Sequence, residues 1–173
     1  MEQYSLPILL ASLLCHLLVS GLTLPEDYSE RHKAITRFVN INKLAALLMR
    51  RQLSFTADFD AFAIYTMRPA LETPIGQDET QAPDAEIPAA AAWISVLGRE
   101  MYSWDREFPH GDREGDPGRG GPLWRGQHGP CKERWQLWRR RFGELSRADE
   151  LSDELRKIAK DAEAQMADIE AHP

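Results

Sequence analysis

Residues 134–142 read RWQLWRRRF, two tryptophans and a phenylalanine set among four arginines. Trp135, Trp138 and Phe142 stand three and four apart, so on a helix they point one way, and Leu145 extends the line. Arg134, Arg141 and Lys132 are read onto other faces, while Arg139 and Arg140 flank the apolar stripe. Aromatic rings that receive nucleic-acid bases must lie open; rings gathered on one stripe are core anchors. Burying apolar area is worth ~25 cal/mol per Å², so three large rings outweigh a surface ion pair worth ~0–1 kcal/mol. The stretch therefore reads as a packed helix with a solvated basic face. Nucleic-acid contact through Arg134, Arg139, Arg140 and Arg141 is the weaker alternative, since no binding motif accompanies the bases.

The next segment supplies the partner for that helix. Leu151, Leu155, Ile158, Ala159, Ala162, Met166 and Ile169 fall on a single stripe, with Ser152 as N-cap and Leu151 as the apolar residue before it. SRADE, residues 146–150, is a short connection that forces the two helices antiparallel. Cys131 to Arg147 carries six bases against two acids, and Ala148 to Pro173 three against eight. An αα-hairpin lays these opposite charges side by side, which specifies pairing more than it stabilises.

Moving toward the amino terminus, residues 105–130 hold seven of the eleven glycines and four of the eleven prolines. Such composition predicts a long flexible Gly/Pro-rich loop. Before it, Pro88 is read as opening a helix on which Trp93, Val96, Leu97 and Met101 share a side. Residues 72–88 contain five carboxylates and three prolines with no base, and read as an exposed acidic linker. Thr56 reads as the cap of a helix bearing Phe59, Phe62, Ala63 and Thr66, ended or kinked at Pro69. Pro25 with its following acids marks another helix start. The periodic run to Gln52 is interrupted by Asn40 and Asn42, either of which would cap a second helix.

Leu6 to Leu24, LPILLASLLCHLLVSGLTL, is nearly all apolar and about the length of a membrane span. A signal peptide is one alternative, with Val19-Ser20-Gly21 as cleavage site, and an anchor is another. Against both, no basic residue precedes it, His16 sits mid-segment, and Ser5, Ser12, His16 and Ser20 draw one polar stripe along a helix. A core helix with one edge near water is the expectation. That favours an intracellular, cytoplasmic protein. Secretion follows if residues 1–21 are a signal peptide, and membrane contact only if residues 6–24 are an anchor.

Chemistry-bearing constellations are scarce. The net charge of −6 opposes phosphate backbones and anionic membranes. Two distant cysteines, Cys15 and Cys131, make no disulfide framework. His128 and Cys131, with His110 from the same stretch, have ligand-like spacing but lack a second close pair for zinc. The acids of residues 105–116 lack the terminal Glu of a calcium loop. Asp58 and Asp60, two apart, cannot form a dyad on one helix face. No phosphate-binding loop, dinucleotide fingerprint or nucleophile elbow occurs, and the Gly-Arg pairs at 118–120 and 125–126 are a poor RNA-binding signal.

Three stretches taken together carry a resemblance: FVNINKLAALL at 38–48, AIYTMRPALE at 63–72, and RWQLWRRRFGEL followed by DAEAQMADIE. They resemble a family of uncharacterised fungal proteins, a domain of unknown function, over most of residues 35–170. The resemblance implies an all-α intracellular protein and supplies no activity or site. Against that pattern the chain starts short, as if an upstream helix were lost, and the glycine-rich loop reads as an insertion. Either makes the Leu-rich amino terminus a remnant core helix.

The expectation is thus a single all-α domain over residues 1–173, an irregular bundle of five to seven helices with a C-terminal αα-hairpin. Trp93, Trp135, Trp138, Phe142, Ile158 and Met166 are its core anchors. No catalytic, cofactor-binding or metal residue is assigned. Function reads as non-enzymatic protein interaction or structure, with a secreted or membrane-tethered protein and a weak nucleic-acid binder as alternatives.

Overall fold

The computed structural model describes residues 24–51, 59–77, 80–108 and 118–173, and the statements below concern these. They form five helices and no strand: α1 Tyr28–Arg50, α2 Phe59–Leu71, α3 Pro83–Ser103, α4 Lys132–Leu145 and α5 Asp153–Ala171. The architecture is all-α. The Leu-rich segment 6–24, save its last residue, and the Thr56 cap lie outside the described residues.

α3 is the central helix and touches each of the other four. Its small residues Ala85, Ala89, Ala90 and Ala92 are buried beside Ile87, Trp93, Ile94 and Leu97, so neighbours reach it from several sides. α4 and α5 run antiparallel: Arg139 meets Glu170 near the end of α5, and Gly143 lies against Glu163 further back along it. Ser152 caps α5 by accepting from the Leu155 N–H at 3.3 Å. Trp93, Trp135, Trp138, Phe142 and Met166 are buried, whereas Ile158 is only half-buried at the edge of the core.

Several boundaries differ from the expectation, each for a local reason. α1 starts at Tyr28 and not at Pro25, and Asp27 caps it, with the Glu30 N–H donating to Asp27 Oδ1 at 2.9 Å. Asn40 and Asn42 do not split it. Asn42 is fully buried, its Nδ2 donating to Phe38 O, and its Oδ1 accepting from Thr66 Oγ1 at 2.6 Å and Trp93 Nε1 at 2.8 Å. One carboxamide thus joins α1, α2 and α3, which overrides the capping preference of Asn. Pro69 lies inside α2, which continues to Leu71.

The acidic linker expected over 72–88 is much shorter. Pro83, not Pro88, stands at the first turn of α3, and Pro88 lies within the helix. Glu72, Ala85 and Ile87 are buried. The described parts of the glycine-rich stretch are tied by backbone hydrogen bonds, with Phe108, Gly118, Gly129 and Pro130 buried while Pro122, Leu123, Arg125 and Gly126 stay exposed. Arg106 N–H donates to Pro130 O and Phe108 N–H to His128 O, and Gly129 N–H donates to Gly118 O. Two of its glycines are there for close approach. A Cβ on Gly129, where φ is +119°, would sit 2.1 Å from Arg106 O, and one on Gly121 would sit 2.7 Å from Glu72 O.

Candidate functional site

Two features stand out, a closed polar node and an open groove. The node forms where the end of α2, the first turn of α4 and the glycine-rich stretch meet. Arg134 is 0% exposed, as is Glu72. Arg134 Nε donates to Glu72 Oε1 at 2.7 Å and Nη2 to Oε2 at 2.9 Å, a two-pronged ion pair. Its Nη1 donates to Gly118 O and Gly129 O, and Nη2 also to Arg119 O. All five guanidinium N–H groups are therefore matched. Glu72 receives in addition Trp138 Nε1 on Oε1 at 2.7 Å and Gly121 N–H on Oε2 at 2.8 Å. Trp124 and Trp138 flank the guanidinium, with ring centroids 5.6 and 5.8 Å from its carbon.

Taking two charges out of water costs several kcal/mol each, and only complete pairing offsets it. Here every guanidinium N–H of Arg134 and both oxygens of Glu72 are matched. Arg68 lies close by, its guanidinium pushed below its ordinary value by burial, with Glu72 opposing and Arg134 and Arg119 adding to the shift. With both carboxylate oxygens doubly engaged and no access to solvent, the node is a clamp: it ties residues 118–121 and 129 to α2 and α4.

This overturns the placement of Arg134 on a solvated face. Only Arg140, at 64% side-chain exposure, stands well into solvent. Arg139 pairs with Glu170, and Arg141 donates to Leu71 O and pairs with Glu144. Charge pairing across the hairpin reduces to Arg139–Glu170, since Arg140, Arg141 and Arg156 pair within their own helices. A spacing signal for Arg134 did exist: it lies four residues before Trp138, on the same face of a helix. Nothing in the local pattern around Glu72 marks it as the partner, because the pairing spans 62 residues of chain.

The His128 and Cys131 spacing gains no further ligand among the described residues. Among the described residues no group of three or more His, Cys, Asp or Glu is placed to hold a metal ion. Cys131 has a free thiol, buried at the start of α4, whose pKa burial pushes up. Asp60 is buried and pairs with Arg106 at 3.1 Å, while Asp58 and His110 lie outside the described residues.

The groove, about 450 Å³, runs between α1, α3 and α5. Ile35, Val39, Pro88, Leu155 and Ile158 make it apolar, and Tyr28 stands at its end, 84% exposed. The Arg31–Asp84 pair at 2.9 Å, bridging α1 and α3, forms one rim, with Glu154 at another side. No helix among the described residues is long and apolar enough to cross a membrane.

The chain matches the family described as protein of unknown function (DUF3632) over residues 6–142. It belongs to that family. The match begins within the Leu-rich segment, further toward the amino terminus than the motifs at 38–48 suggested, and ends at Phe142, before α5. No curated protein and no solved structure matches the chain.

Proposed function

We propose, with membership of that family as the premise, that the chain is a non-enzymatic helical interaction module that receives an amphipathic helix in the groove between α1, α3 and α5. The observation that carries this reading is the groove itself: an apolar floor from three helices, bordered by charged groups. A helix laid there would set residues at i, i+3, i+4 and i+7 against Ile35, Val39, Leu155 and Ile158. α1 supports the reading from its own side. Of its 23 residues only Asn42, Ala45 and Ala46 are fully buried, while Ile35, Phe38, Val39, Leu47, Leu48 and Met49 are half-covered. The Glu72–Arg134 node supports the non-enzymatic part, because the one fully buried acid–base pair among the described residues is committed to holding the chain together.

A synthetic amphipathic helix carrying leucines at those spacings and a benzophenone tests it. At high concentration the probe is expected to photolabel α1, α3 or α5 of the full chain, and Ile158→Glu to abolish the labelling. Labelling that ignores this substitution, or that falls on other elements, ends the reading. Turnover of any substrate in a broad hydrolase and transferase screen would overturn the non-enzymatic part.

A further inference from the structure

We infer that the groove is the seat of the chain's own Leu-rich amino-terminal segment, residues 6–24, so that a partner helix must displace it. The inference rests on the groove being a helix-receiving site and names its resident. Four observations converge on this segment.

The first is position in the chain. The segment leads into α1 through residues 25–27, and Tyr28, the first residue of α1, stands at the end of the groove. A connection that short lays consecutive helices antiparallel and side by side, which directs the segment along the face of α1 that the groove leaves uncovered. The second is reach. At 1.5 Å per residue the segment as a helix would run about 28 Å, and the groove's α1 wall, Tyr28 to Asn40, about 20 Å. The third is chemistry. Residues 6–24 carry no Lys, Arg, Asp or Glu, and their polar side chains Ser12, His16 and Ser20 fall on one narrow stripe. Such a helix keeps the stripe in water and presents Leu14 and Leu18, on the opposite side, to Ile35, Val39, Leu155 and Ile158. The fourth is the family match, which begins at residue 6 and so places the whole segment inside the shared domain.

Native Cys15 provides the test in the full chain. With Ile158→Cys, a short bis-maleimide is expected to join Cys15 to the thiol at position 158 within one molecule, at a yield independent of protein concentration. Leu123→Cys, on a different surface hollow lined by Pro74 and Arg141, is the control and should give no such product. Cross-links only between two molecules would replace the inference with a second copy in the groove. Absence of the cross-link, or an intact mass lacking residues 1–21, would overturn it outright.

The photolabelling probe separates the two proposals. Leu14→Glu with Leu18→Glu should raise groove labelling several-fold over wild type by emptying the seat, whereas Ser12→Ala with His16→Ala on the stripe should not. Equal groove labelling in wild type and the double-glutamate variant sinks the resident segment and leaves the groove reading standing. No groove labelling in either sinks the groove reading, and the cross-link alone then decides where residues 6–24 lie.

Discussion

Arg134 shows how far one side chain can depart from what its type suggests. A guanidinium between two tryptophan-bearing turns reads as surface charge, yet here it organises five acceptors from three parts of the chain. Removing it leaves Glu72 buried without its counter-charge. Arg134→Met is therefore expected to destabilise by about 3–5 kcal/mol, the range for breaking a buried pair, read as a drop in the urea midpoint by far-UV circular dichroism. Adding Glu72→Leu removes the stranded charge and should return part of the loss; a double variant as unstable as the sum of the singles would show that the two groups are not coupled. Arg134→Lys is not a conservative change, because one ammonium cannot match a two-pronged carboxylate and three carbonyls. Cys131 makes a second prediction at this scale. Its thiol is pushed up by burial, reinforced by the Glu133 side chain and opposed by the Arg134 N–H. The fold thus prefers the neutral thiol, and that preference is present below the ordinary value of about 8.5 and lost as pH rises through the higher folded one. Alkylation of Cys131 at neutral pH should be much slower in native than in unfolded protein, as mapped by peptide mass, and equal rates would contradict its burial.

At the scale of elements, what the amino-acid pattern reveals depends on whether neighbours in space are neighbours in sequence. The α4–α5 hairpin is legible because Trp135, Trp138 and Phe142 repeat at helical spacing and a short turn with Ser152 leaves one way to pair. Boundaries set by distant partners are not. Asn42 resembles a helix cap until Thr66 and Trp93 arrive from α2 and α3, and Pro88 looks like a helix start until Pro83 takes that role. The glycine-rich stretch is the clearest case: composition reports backbone freedom, whereas Gly121 and Gly129 are required by backbone atoms that press against them. Gly129→Ala tests this directly. The new methyl would meet the Arg106 carbonyl at 2.1 Å, a backbone atom that no rotamer change can move, at a φ of +119°. The expected loss is more than about 2 kcal/mol. Gly76 is the matched contrast, with φ +75° and nothing within 4 Å of an added Cβ. Gly76→Ala should cost only the left-handed backbone penalty of roughly 1–2 kcal/mol. If the two substitutions shift the urea midpoint equally, the stretch around Gly129 is not clamped as the hydrogen bonds indicate.

For the whole molecule, the distribution of charge decides which partners it can meet. The chain carries 27 acids against 21 bases, so phosphate polymers are repelled unless a basic face is set apart. The densest basic stretch does not provide one. Arg134 is enclosed, Arg141 is 15% exposed and tied to Glu144 and the Leu71 carbonyl, and Arg139 is bound to Glu170. Arg140 alone among the four stands well into water, in a loose pair with Glu144 at 3.9 Å. Affinity for a polyanion grows with the number of phosphates or sulfates neutralised, each adding nearly one unit to the salt slope. Arg140 and Arg147 are the exposed arginines of the segment, and the exposed Lys132 donates to the Tyr102 carbonyl, so on an acidic chain the slope should stay at about two or below. On a heparin column the full chain should consequently emerge in the flow-through at physiological ionic strength, and Arg140→Ala should leave that behaviour unchanged. Retention that weakens steeply with salt would mean several cations act together, and it would have to come from a surface other than α4. The same arithmetic favours the groove between α1, α3 and α5 over α4 as the surface on which the proposed partner helix should be sought.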